Sequence, residues 1–151
     1  MTLEQKLRKP QILVVEDNPG DIELLQRALE TADVDCELSI IDDGEEALAR
    51  VQRRGKYADS SPPDLAILDL NLPKVNGQQL LAAMRQSAEF DAVPIVVLTS
   101  SSSLRERAQL DALRITRHIA KPADLDEYMK IGIELKQILG DTLSLKPALI
   151  E

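Results

Sequence analysis

Residues 12–30 read ILVVEDNPGDIELLQRALE. Ile12, Leu13, Val14 and Val15 run without a polar interruption, as in a strand covered on both faces. The run stops at Glu16-Asp17-Asn18-Pro19, and from Gly20 the apolar period becomes helical. Ile22, Leu24, Leu25, Ala28 and Leu29 lie on one side, with Glu23, Gln26 and Glu30 on the other. A covered strand, an acidic turn and an amphipathic helix make one βα unit, and the rest of the chain repeats it.

The spacing predicts a second strand over 36–41 (CELSII), closed by Asp42-Asp43-Gly44, then a helix over 45–53 with Ala47, Leu48 and Val51 inward. Asp42 and Asp43 read as solvated turn acids. Residues 55–63 (GKYADSSPP) have the composition of a surface loop. Strands follow over 65–70, 94–98 and 115–119, and helices over 77–87, 104–113 and 125–139, with Gly140 where a C-terminal cap is expected. Strands alternating with helices predict an α/β domain. Right-handed crossovers make it a doubly wound (βα)5 fold with a parallel five-stranded sheet. Residues 1–10 read as a lead segment, 11–140 as the domain, and 141–151 as a tail too short for an output domain.

The composition narrows the function. Of 151 residues, only Phe90, Tyr57 and Tyr128 are aromatic, so the core must be aliphatic. A formal charge of −8 and a pI near 4.7 would repel duplex nucleic acid. No apolar stretch approaches the roughly 20 residues of a membrane helix, and the first ten residues lack a signal-peptide core. The single cysteine, Cys36, cannot form an internal disulfide and suits a reducing cytoplasm. It reads as a small packing residue rather than a redox centre.

In an open α/β sheet, ligands bind at the carboxyl ends of the strands. Glu16 and Asp17 follow the first strand, Asp69 ends the third, Thr99 and Ser100 follow the fourth, and Lys121-Pro122 follows the fifth. Three carboxylates in one cleft repel one another and favour a hard divalent cation such as Mg²⁺, which takes oxygen ligands. A metal ion, a hydroxyl and an ammonium around a nucleophilic carboxylate suit phosphoryl transfer, which needs positioning and neutralisation of the equatorial oxygens. Each residue alone also has an ordinary reading, as a solvated acid, loop cap, loop filler or surface lysine. Their joint spacing is what argues for a site.

With these residues the chain resembles a response-regulator receiver domain of two-component signalling. The likeness covers about residues 10–139 and rests on Glu16-Asp17, Asp69 in LDLNLP, Thr99 in VVLTS and Lys121-Pro122. It implies the flavodoxin-like receiver fold. Asp69 would then be the phosphoacceptor, served by a histidine kinase or a small acyl phosphate. Mg²⁺ would be held by Glu16, Asp17, Asp69 and the backbone carbonyl of Asn71. Thr99 and Lys121 would contact the phosphoryl group, Lys121-Pro122 would be cis, and output would pass through protein–protein contacts. The VVEDNPGDIELL and LDLNLPKVNG runs further resemble regulators partnered with bacterial phytochromes.

Some positions depart from the family. The switch position, three residues before the lysine, holds His118 where Tyr or Phe is usual; His can still pivot, with a readout that follows pH. Ser100 replaces a smaller residue, and Ala112-Leu113-Arg114 lacks the usual Gly before the fifth strand. On the last helix, Leu125, Tyr128, Met129, Ile131, Ile133, Leu135, Ile138 and Leu139 span roughly 220° of circumference. That exceeds what one buried stripe needs. Tyr128, Ile131 and Ile138, at one margin, are therefore expected at a dimer or partner interface, with the tail over 142–151 (TLSLKPALIE) as the alternative cover. The family resemblance implies a homodimer through the helix over 104–113, the fifth strand and the last helix. Two rivals share part of the pattern. A haloacid-dehalogenase-type phosphatase also uses an Asp nucleophile with Mg²⁺, but needs an acid at the position of Asn71. A receiver-fold interaction module would work without phosphorylation.

Overall fold

The computed structural model describes residues 9–70, 72, 75–99 and 110–144. Five strands among them form one sheet: β1 (Gln11–Val15), β2 (Glu37–Ile41), β3 (Leu65–Asp69), β4 (Ile95–Thr99) and β5 (Arg117–Ala120). Their order is β2-β1-β3-β4-β5 and every pairing is parallel. Helices α1 (Pro19–Thr31), α2 (Gly44–Val51), α3 (Gly77–Gln86) and α4 (Leu125–Ser144) cover the two faces. No helix among the described residues is long and apolar enough to cross a membrane. The sheet and its layers follow the expected α/β architecture.

Strand alternation sorts the core. Leu13, Val15, Ala66, Leu68, Ile95 and Val97 face α2 and α3, meeting Ala47, Val51, Leu80, Leu81, Met84 and Phe90. Ile12, Val14, Leu65, Ile67, Val96 and Leu98 face the other way, against Leu25, Ala28 and Leu29 of α1 and the buried side of α4. Helix starts are set by side-chain caps. Asn18 accepts from the Asp21 amide at 3.1 Å with Pro19 in the first turn, and Asn76 forms a capping box with Gln79. Asp43, read as solvated, instead caps α2 by accepting from the Glu45 and Glu46 amides.

Two glycines permit close approaches. A Cβ on Gly77 would fall 2.6 Å from the Leu70 Cα, so α3 can begin directly against the chain leaving β3. A Cβ on Gly132 would fall 2.0 Å from the Ala28 carbonyl oxygen, so α1 and α4 cross almost backbone to backbone. That crossing overturns the interface expectation. Tyr128, Ile131 and Ile138 are only 2%, 3% and 7% exposed, packed in the protein's own core beside α1 and the sheet. The apolar surplus of α4 lies at its other margin, where Leu125 and Ile133 are each 53% exposed.

Boundaries shift at several elements. Gly140 does not cap α4, which continues to Ser144; Asp141, Thr142, Leu143 and Ser144 contain no helix breaker, and Thr142 Oγ1 donates to the Ile138 carbonyl at 2.9 Å. β5 starts at Arg117, since Thr116 is engaged in the turn and bonds Ile95 through both its amide and its hydroxyl. That turn keeps a left-handed residue although the usual Gly is missing, for Arg114 sits at φ 59°. Of the helix expected over 104–113, Leu110 and Asp111 are helical; residues 104–109 lie outside the described residues.

Candidate functional site

Because all five strands run in parallel, their carboxyl ends open on one edge. Glu16 directly follows β1, and its amide donates to the Ile41 carbonyl at 3.1 Å, which ties the acidic turn to β2. Asp69 is the last residue of β3 and Thr99 the last of β4. The Lys121 amide donates to the Thr99 carbonyl at 2.8 Å, carrying the β4–β5 ladder one step past β5. Backbone pairing, rather than side-chain attraction, therefore delivers these residues to one place. The Lys121–Pro122 bond is trans, not the expected cis. Trans is the form an X–Pro bond favours by about 0.5–1 kcal/mol, and the lysine reaches its partners from it.

Glu16, Asp69 and Thr99 are buried, while Asp17 is exposed at the mouth. One carboxylate oxygen from each of Glu16, Asp17 and Asp69 lies within 4.8 Å of the others. The Lys121 side chain is 10% exposed and its ammonium donates to three carboxylates. The distances are 2.9 Å to Glu16 Oε2, 2.8 Å to Asp21 Oδ2 and 3.0 Å to Asp69 Oδ2. Glu16 uses its other oxygen to accept from the Asn18 amide at 3.1 Å.

The electrostatics follow from crowding. Burial pushes the Glu16 carboxyl up from its ordinary 4.5 to about 7, against the pull of Lys121 and the Asn18 amide and with a further push from Asp69. Burial opposes the Lys121 charge, but its bonds to Asp21, Glu16 and Asp69 outweigh that and hold the ammonium well above its ordinary value. Burial also raises the Tyr128 phenol to about 12, helped by the charge of Asp21. Four carboxylates around one ammonium leave the edge with excess negative charge. That suits a hard cation: the clustered donors are all carboxylate oxygens, and no soft ligand stands among them.

Glu16, Asp17, Asp69, Thr99 and Lys121 thus converge as expected. Asn71 and Ser100 lie outside the described residues. His118 is half-buried on the edge strand β5, in register with Val97, two strand positions below the edge where Lys121 follows Ala120. One residue at the centre was not anticipated, Asp21. It sits in the first turn of α1, where an acid reads as an ordinary complement to the helix dipole. The available clue was positional: a helix that starts three residues after β1 lays its first turn over the carboxyl edge.

Comparison with known proteins adds independent findings. The model of the response regulator receiver domain matches residues 12–131. The response regulator Rcp1 of Synechocystis is 35% identical over 137 residues, covering 91% of this chain and 93% of that protein. The phosphorylated cyanobacterial phytochrome response regulator RcpA superposes with a TM-score of 0.81 at 35% identity, covering 89% of this chain and 96% of that one. The Mn²⁺-bound form of Rcp1 gives a TM-score of 0.78 at 35% identity, covering 85% and 92%.

Proposed function

Since the chain belongs to the response-regulator receiver family, the phosphorylation-dependent signalling domains of two-component systems, we propose that Asp69 is its phosphoacceptor and Lys121, Thr99 and the acidic pair its supporting groups. The observation that carries this reading is the meeting of Glu16, Asp17, Asp69 and Lys121 at the carboxyl edge of the sheet.

Receiver domains bind a divalent metal at the acidic pocket, and the relative Rcp1 has a Mn²⁺-bound form. Glu16, Asp17 and Asp69 would hold it here, and their all-oxygen donor set suits Mg²⁺. When bound, the ion supplies positive charge to phosphoryl oxygens that would otherwise be repelled by the acids. One Asp69 carboxylate oxygen attacks phosphorus. The bond from phosphorus to the donor breaks, its electron pair leaves with the donor, and an acyl phosphate forms on Asp69. Lys121 already touches Asp69 Oδ2, and in this reading its ammonium pairs with a phosphoryl oxygen once the carboxylate is phosphorylated. In this reading Thr99, one strand away at the end of β4, donates its hydroxyl to another.

The donor in this reading is a histidine kinase. Kinship with Rcp1 and with the phytochrome regulator RcpA supports a phytochrome as the sensor. Output runs through protein contacts, in the cytoplasm. Dimerisation forms no part of the reading, because the three residues expected to carry it lie in the core.

Intact-mass spectrometry after incubation with acetyl phosphate and Mg²⁺ tests the proposal. The wild type is expected to gain one phosphoryl group, and Asp69→Asn or omission of Mg²⁺ to abolish the gain. A wild type that gains nothing would leave a phosphorylation-independent interaction module as the better reading.

A further inference from the structure

Lys121 has one charge and three carboxylate partners, and the three are not equivalent. Glu16 and Asp69 also belong to the cluster of oxygens that could hold a cation. A cation in that cluster and the lysine ammonium therefore draw on the same oxygens. Asp21 stands apart. It makes the shortest of the three contacts, 2.8 Å, and is not among the clustered donors. Its side chain is 26% exposed where those of Glu16 and Asp69 are 6%, so it marks the outer side of the lysine. Its place is set by the start of α1, where the Asn18 side chain accepts from the Asp21 amide at 3.1 Å.

We propose that Asp21 is a positioning residue: it holds the Lys121 ammonium at the outer side of the carboxylate cluster, so that Glu16 and Asp69 stay available to a divalent cation while the lysine stays beside Asp69. The proposal rests on reading the edge as a metal and phosphoryl site. Without the Asp21 charge, the ammonium keeps Glu16 and Asp69 as its partners among the described residues, and it competes with the cation for both. An acid in the first turn also stabilises α1 through the helix dipole, by about 0.3–1 kcal/mol, but that effect does not depend on Lys121.

The dependence on Lys121 is what the experiment reads. Calorimetric titration with Mg²⁺ alone, without a phosphodonor, is made on wild type, Asp21→Asn, Lys121→Met and the double variant. Asp21→Asn is expected to weaken Mg²⁺ binding about five- to tenfold when Lys121 is present and less than about twofold in the Lys121→Met background. Asp21→Ser, a residue equally at home at a helix start, is expected to repeat the result should Asp21→Asn fold poorly. Equal losses in both backgrounds would reduce Asp21 to a distant charge and overturn the proposal, as would no loss in either. A wild type that binds no Mg²⁺ would instead overturn the metal reading on which the proposal stands.

Discussion

At the carboxyl edge of the sheet, Lys121 donates to three carboxylates. At the amino edge, Arg85 donates to five backbone carbonyls. Its Nε reaches Leu113 at 2.9 Å, Nη1 reaches Phe90, Asp91 and Val93, and Nη2 reaches Arg114 at 2.8 Å. Burial and the nearby Arg114 lower the Arg85 pKa, whereas the carboxylates raise that of Lys121 against burial. The guanidinium thus serves five neutral carbonyls, with the two Nη1 hydrogens shared among three of them. The ammonium is oversupplied with anions that a metal ion or a phosphoryl group can redistribute. One cation joins two loops to a helix, and the other can change partners.

Mutation should separate them. Lys121→Met strands the buried Glu16 and Asp69, and in metal-free buffer it is expected to cost about 3–5 kcal/mol, the range for breaking a buried pair from one side. Saturating Mg²⁺ should recover most of that loss. Arg85→Ala should cost about 2–3 kcal/mol, from several charge-assisted bonds lost at once, and Mg²⁺ should not change the figure. Urea unfolding of both variants with and without Mg²⁺ makes the comparison. An Arg85→Ala defect that Mg²⁺ repairs would erase the distinction.

Proton uptake sharpens it further. The folded Glu16 pKa, about 7, exceeds its ordinary 4.5, so the folded state holds this proton more tightly. Its contribution to stability is complete below about pH 4.5 and is lost as pH rises through about 7. Metal-free protein should therefore lose about 2 kcal/mol between pH 5 and 8 from this group. Mg²⁺ requires the ionised carboxylate, so its affinity should fall about tenfold per unit below pH 7. Glu16→Gln should flatten the stability profile, and a profile unchanged by that substitution would place the titration elsewhere.

Legibility in the sequence divides along the same line. Glu16, Asp17, Asp69, Thr99 and Lys121 were readable because each closes or follows a strand run, and parallel pairing takes every strand end to one edge. Asp21 was hidden because an acid in a helix's first turn has a sufficient local explanation. The Arg85 clamp was hidden because its acceptors are backbone carbonyls, which no residue letter announces. On α4 the width of the apolar arc is legible in the sequence, but which margin lies in the core is not. Arc width says how much is covered, whereas the close crossing at Gly132 and Ala28 decides which side α1 covers. Gly140 misled because glycine caps a helix only where the backbone turns left-handed, and here the helix runs on.

The smallest effect concerns Arg114, whose carbonyl Arg85 holds. A residue with a side chain at φ 59° costs about 1–2 kcal/mol relative to a right-handed conformation, a cost that glycine escapes. Two terms oppose replacement. Arg114 Nη2 pairs with Asp91 Oδ1 at 2.5 Å in an exposed ion pair worth about 0–1 kcal/mol, and glycine loses about 0.5–1 kcal/mol more chain entropy on folding. The clamp itself depends on the residue 114 carbonyl and survives any side chain. Arg114→Gly should therefore leave stability within about 0.5 kcal/mol of wild type, while Asp91→Asn removes the ion pair alone and should cost less than about 1 kcal/mol. A large loss in Arg114→Gly with none in Asp91→Asn would mean that the arginine side chain, not the guanidinium of Arg85, organises the turn before β5.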